Sequence, residues 1–413
     1  MLLELLKEFF YDLRTHRTRA LLTLFSITWG TISVVLLLSF GDGLGTQMLN
    51  GMLNAGDRIM IVYGGETGLI HEGLPKGRRI RLVEDDVDVL QGGVQGIDMI
   101  TPQYRKTVVL AYGKFQTSTE CEGVNPGFEE MRRMFPAAGG RFLSEVDLEQ
   151  QRRVIFLGVE IAKDIFKEED PVGKALTVDG VPFTVIGLMQ KKVQTSSNNG
   201  PDTRRAIMPY STFRTSYGNK FVNSIVVRPV DPSQQAEFKA EIYRVLGRKY
   251  RFDPKDERAL GVWDFIEGEK INRRIGLGVS IFLFAVGFLT LLIAGVGVAN
   301  VIYVVVKERT REIGIKLAVG AKRRYILAQF VFEALLLAMI GGLAGILFSY
   351  GVISIVRMLP SDDGAMQFLG KPIMSLTTTL STVVILGIIG LCAGFFPARK
   401  AASVDPVESL RYE

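Results

Sequence analysis

The sequence predicts a membrane protein of four transmembrane helices, with a large extracytoplasmic α+β domain of two lobes inserted between spans one and two. Three observations carry this expectation. Apolar runs at 20–40, 273–306, 325–357 and 376–396 each supply the ~20 residues needed to cross a hydrocarbon core. The stretch 41–272 has no such run and is long enough to build its own core. Lys and Arg flank the runs in 1–19, 307–324 and 397–413, whereas 358–375 carries Asp362 and Asp363. Short basic loops stay in the cytoplasm, so both termini are expected inside and the inserted domain outside.

The elements follow in order. Residues 1–19 set Leu2, Leu6, Phe9 and Leu13 at helical spacing against Glu4, Lys7, Glu8 and Asp12, the pattern of an interfacial amphipathic helix. The apolar run at 20–40 exceeds a signal-peptide core and no A-x-A site follows it, so the segment reads as a retained anchor. In 41–272, strands are expected at 58–63, 107–112, 115–120, 153–157 and 224–228, and a hairpin at 175–178 and 182–187 turns through Asp179-Gly180. Helices are expected at 84–90, 126–134, 159–166 and 232–246, with the inserted lobe at about 115–220. The polar run 195–203 reads as an exposed connection. Residues 50–55 and 256–270 read either as outward continuations of spans one and two or as surface helices.

Residues 307–324, KERTREIGIKLAVGAKRR, form a basic island between two long apolar runs. Thr310 to Val319 reads as a short helix stopped by Gly320. Glu312 precedes Lys316 by four residues with Arg309 on the same face, and Ile313 and Leu317 mark an apolar stripe. This pattern suits docking of a soluble partner, although spacing alone favours a solvated basic loop that only fixes topology. Within the spans Glu333 is the exceptional ionisable group, two turns into span three, within reach of Arg323 or Arg324. Gly341 and Gly345, and Gly390 and Gly394, have the GxxxG spacing of close helix contacts, either within the chain or across a homodimer.

The residues exclude several classes of function. Asp170-Pro-Val-Gly-Lys-Ala175 has a Gly-Lys pair but lacks the upstream glycine and following Ser or Thr of a P-loop. No hydrolase elbow or zinc-binding HExxH occurs. His16 and His71 lack ligand-like neighbours, and Cys121 and Cys392 are too differently placed to pair. Glu145, Asp147 and Glu149 read as a solvated loop rather than a carboxylate pair. The net charge of +6 clusters beside apolar runs, which points to membrane lipids and not nucleic acid. No catalytic, cofactor-binding or metal site is expected, and sparse intramembrane charge argues against an ion-coupled carrier.

Three long motifs resemble one superfamily. ERTREIGIKLAVGAKRRYILAQFVFEALLL (Glu308–Leu337) and FPARKAASVDPVESLRYE (Phe396–Glu413) are similar to the MacB/FtsX-type, or type VII, ABC transporter permeases. VIFLGVEIAKDIFKEEDPVGKALTVDGVPFTVIGLMQ (Val154–Gln190) is similar to the MacB-type periplasmic core domain. The resemblance implies the inner-membrane permease subunit of an export machine, in which ATP-driven motion of an ABC ATPase reaches the periplasmic domain (mechanotransmission). It implies macrolide-, peptide- or lipoprotein-like substrates. The ATPase, with its ATP and Mg, is expected on a separate chain docking at Glu308, Arg309, Thr310, Arg311, Glu312, Ile313, Gly314, Ile315 and Lys316. Further implied partners are a second permease copy or paired permease, a periplasmic adaptor and an outer-membrane channel. An FtsX-like scaffold that regulates an envelope enzyme is the alternative.

Overall fold

The computed structural model describes Phe9 and residues 17–195, 200–359 and 370–403. The rest of the expected amphipathic helix, the outer loop with Asp362 and Asp363, and the end of the tail lie outside the described residues. Two compact units emerge, Met48–Arg273 and the remainder. The long helix α1 (Arg17–Leu53) outruns its apolar stretch, and α8 (Phe265–Glu308) later does the same.

In the Met48–Arg273 unit the chain forms β1 (Met60–Gly64), α2 (Asp86–Gly93), β2 (Ile97–Tyr112), β3 (Phe115–Val124), α3 (Phe128–Arg132) and α4 (Glu145–Glu149). It continues through β4 (Val154–Leu157), α5 (Val159–Phe166), β5 (Ala175–Val178), β6 (Val181–Leu188), β7 (Arg205–Pro209) and α6 (Tyr210–Tyr217). It ends with β8 (Ser224–Pro229), α7 (Gln235–Tyr250) and β9 (Leu260–Asp264). Strand β2 belongs to two lobes. Its first half pairs with β8 in an open sheet ordered β2-β8-β1-β9, and its second half pairs with β3. Because β2 also pairs with β5, strands β2-β3-β7-β4-β6-β5 close into a small ring. The lobe boundary thus falls inside β2 rather than at residue 115.

Local chemistry explains most elements. Asp179 and Gly180 both take positive φ, as a type I′ turn between β5 and β6 requires. Helix α5 buries Ile161, Ala162, Ile165 and Phe166 on one face. Three expectations need correction. Asp256–Lys270 is not one helix: Leu260–Asp264 is a strand along β1, pairing Val262 with Val62, and α8 starts only at Phe265. Glu145–Glu149 is a short helix, not a solvated loop. Asp147 is fully buried, accepting from the Ser144 amide at 2.9 Å and pairing with Arg141 and Arg152. The 195–203 stretch is not a simple exposed connection either; Asp202 and Thr203 are buried, while 196–199 lie outside the described residues.

In the other unit α8, α9 (Thr310–Ala318), α10 (Arg323–Met358) and α11 (Leu376–Ala402) follow α1. The four long helices are apolar enough to cross a membrane. Each GxxxG glycine faces another helix of the same chain. A Cβ on Gly341 would meet Ile27, and one on Gly345 would lie 2.6 Å from the Thr31 Cβ and 2.9 Å from the Thr28 carbonyl. Those on Gly390 and Gly394 would meet Ala338 and Ala334. Helix α10 therefore contacts α1 on one side and α11 on the other, and the Thr28 hydroxyl donates to the Gly341 carbonyl at 3.1 Å. Gly345→Ala must push α1 back, because backbone cannot yield as a side-chain tip can. We expect a loss of about 1–3 kcal/mol, read as a lowered melting temperature in detergent. Gly297→Ala, with open space around it, should not lower the melt and, through helix propensity, should if anything raise it.

Candidate functional site: the basic segment between α8 and α10

Helix α8 ends where Thr310 turns its hydroxyl back to the Val306 and Lys307 carbonyls at 3.0 and 2.8 Å. The chain restarts at once as α9, with Arg309 in the N-cap position. Ile313 and Gly314 are buried, and Ile313 joins the core with Val306, Ile326, Phe330 and Ala398, so α9 is rooted on the spans. Leu317, the second stripe residue, packs partly against the same core. The outward face carries Arg311, Glu312, Ile315, Ala318 and Val319. Ile315 is 47% and Val319 84% exposed beside two charges. A mixed apolar and charged face of this kind suits a protein partner better than lipid.

The charges divide differently from the sequence expectation. Among the described residues Glu312 makes no ion pair, so the Glu312–Lys316 pair is not formed. Arg309 turns inward instead, its Nη1 3.6 Å from the Glu333 Oε1, while the Gln329 amide donates to the same oxygen at 3.3 Å. Arg323 and Arg324, the expected partners, start α10 more than two turns away from Glu333, whereas the helix break at 309 delivers Arg309 directly. Next to it Arg19 grips Glu308 with its two terminal guanidinium nitrogens, Nη1 and Nη2, at 2.7 and 3.0 Å. These pairs and Phe9, Thr23, Ile302 and Leu337 line a cavity of about 90 Å³. Sequence reading missed the Arg19–Glu308 clamp, which joins residues far apart in the chain. Among the described residues no His, Cys, Asp or Glu cluster is fit to hold a metal.

Two family models match the chain. The MacB-like periplasmic core domain matches residues 20–245, and the FtsX-like permease C-terminal domain matches residues 284–406. The chain belongs to the MacB/FtsX-like ABC permease family. Among curated relatives, the macrolide export ATP-binding/permease protein MacB of Wolinella succinogenes is 31% identical over 418 residues, covering 100% of this chain and 61% of the relative. The pyoverdine export ATP-binding/permease protein PvdT of Pseudomonas syringae pv. syringae is 30% identical, covering 96% and 58%. The crystal structure of the periplasmic region of MacB from Actinobacillus actinomycetemcomitans covers 54% of this chain and 96% of its own, at 21% identity and a TM-score of 0.43. The chain thus spans about three fifths of the length of these relatives (61% and 58%).

The core domain of this MacB-like chain holds a second polar constellation, which sequence reading missed. Asp202, fully buried, meets the Arg132 Nη2 at 2.6 Å and the Lys192 Nζ at 2.8 Å. Arg205 bridges Asp202 to Glu122, and Glu122 accepts from the Gln103 amide at 3.0 Å. Burial pushes the Asp202 carboxyl up, but the charges of Arg132, Lys192 and Arg205 outweigh it and hold the group well below the usual carboxylate range. Burial dominates at Lys192, lowering it from 10.5 to about 8 despite Asp202. Between those values the unfolded chain binds the proton that the folded chain has lost, so this group makes stability rise with pH from about 8 towards 10.5. Urea unfolding of the wild type against Lys192→Met should show that rise in the wild type alone; parallel profiles would refute it.

Proposed function

We propose that this chain is the permease subunit of an ABC-type export machine in the inner membrane, with both termini cytoplasmic. A separate ATPase chain, carrying ATP and Mg, docks on α9, and its opening and closing is passed along α1 and α8 to the periplasmic core domain. The observation that carries this reading is the outward face of α9: Arg311, Glu312, Ile315 and Val319 exposed on a helix rooted by Ile313. Helix α9 is short, basic at its flanks and fixed at both ends by long apolar helices, so force applied to it is handed to the spans. The relatives' names, each joining an ATP-binding and a permease function in export, support the class.

The substrates fitting such a machine are macrolide-, peptide- or lipoprotein-like molecules taken from outside the bilayer, since Glu333 is paired and gives no polar path across it. A second permease copy, a periplasmic adaptor and an outer-membrane channel complete the assembly. Affinity purification of the solubilised chain, with mass spectrometry and an ATPase assay, tests the core of the proposal. A stoichiometric ABC ATPase is expected; a clean preparation from cells that express candidate ATPases refutes it.

A further inference from the structure

Between β6 and β7 the chain leaves the strand ring and runs across the last turns of α1, within the Met48–Arg273 unit. This strap, Lys191 to Thr195, is bonded along its length. The Thr195 amide donates to the Gly51 carbonyl at 3.1 Å, and the Asn54 side-chain amide donates to the Val193 carbonyl at 2.8 Å. The Lys192 ammonium donates to the Asn54 carbonyl at 2.7 Å and to the Arg132 carbonyl. Arg132 is the last residue of α3 and Asn54 follows the last residue of α1, so one cation meets the carbonyl ends of both helices, where the dipole favours it. Its ion pair with Asp202 ties it to the turn that opens β7.

Two further facts distinguish this from an ordinary loop contact. Gly51 lies inside α1, where glycine costs roughly 1 kcal/mol against alanine. A Cβ there would sit 2.7 Å from the Thr195 Oγ1, so the small residue makes room for the strap. The polar contacts also run on beyond it: Asp202 to Arg205, Arg205 to Glu122, Glu122 to Gln103, and Gln103 to the Ser224 hydroxyl at 2.7 Å. That chain passes from the end of α1 through β7 and β3 of the ring to β2 and β8 of the open sheet.

We propose that the strap Lys191–Thr195, pinned by Lys192, is the linkage through which displacement of the end of α1 moves the six-stranded ring. The inference rests on the transmission of motion proposed above and names the element that receives it. A rigid helix end can act on the ring only through groups that hold it from more than one side. The strap supplies three such points within its five residues: Thr195 on Gly51, and Val193 and Lys192 on Asn54.

Gly51→Ala is the sharpest variant, since helix propensity alone predicts a stabler α1 while the linkage predicts a displaced strap. The full chain with its ATPase would be reconstituted in nanodiscs, with spin labels at Lys114 in the β2–β3 turn and at Val230 beyond β8, both exposed. In the wild type, ATP with vanadate should change the label distance. In Gly51→Ala, and independently in Lys192→Met, Thr195 amide exchange should rise about tenfold, ATP hydrolysis should continue, and the distance change should vanish. A normal distance change with a released strap overturns the linkage alone. Strap protection that survives both substitutions overturns it too. A wild type with no ATPase, or with no distance change, refutes the transmission reading, and the linkage falls with it.

Discussion

Reversing the two outward charges of α9, with Arg311→Glu and Glu312→Lys together, should abolish ATPase co-purification and bring export to background. Both side chains are exposed, and neither makes an ion pair among the described residues, so the spans lose nothing when they change. Net charge is unaltered, and Glu, Lys and Arg are comparable helix formers. The loss therefore has to arise at the partner's surface. A charged residue central to an interface costs 2 kcal/mol or more when removed, about 30-fold in affinity, and reversal adds like-charge repulsion. The double reversal should leave expression and melting temperature unchanged. Ile313→Ala provides the contrast: it removes the anchor that roots α9 in the core and should lower the melting temperature by creating a cavity. Undiminished ATPase in the double variant would leave α9 a mere connection between spans.

What was legible in the sequence follows from how local its causes are. Helix α5 could be read because Ile161, Ile165 and Phe166 repeat at helical spacing, and the β5–β6 hairpin because Asp179-Gly180 dictates its own turn. The first half of β2 was hidden by Pro102, which cannot donate to a ladder and so reads as a break; it is tolerated opposite Ile225. Strand β9 was masked by accident, since Ala259, Val262, Phe265 and Ile266 imitate a helical stripe. The candidate site divides in the same way. Its position and the rooting of Ile313 came from local pattern, but the choice of Arg309 over Arg323 for Glu333 depends on where α8 breaks. The Lys192–Asp202–Arg132 cluster joins residues up to 70 positions apart, and no local spacing signals it.

That cluster should carry the largest single stability effect in the core domain. Asp202→Ala leaves Arg132 and Lys192, both largely enclosed, without their carboxylate, while Arg205 keeps Glu122. Arg132 suffers most, because among the described residues its Nε and Nη1 have no hydrogen-bond acceptor and its Nη2 bond to Asp202 goes with the side chain. Breaking a buried pair from one side typically costs about 3–5 kcal/mol, since the surviving charge stays in the interior unpaired. For a unit of this size each kcal/mol lowers the melting temperature by roughly 2–4 °C, so a fall of about 6–20 °C is expected. The decisive comparison is with Asp202→Ala combined with Arg132→Met. Removing the stranded guanidinium should restore part of the loss, giving a coupling energy well above 1 kcal/mol in a double-mutant cycle. Additive losses would mean that the two groups, 2.6 Å apart, act independently, and would remove the argument that this cluster holds α3 and the turn before β7 together.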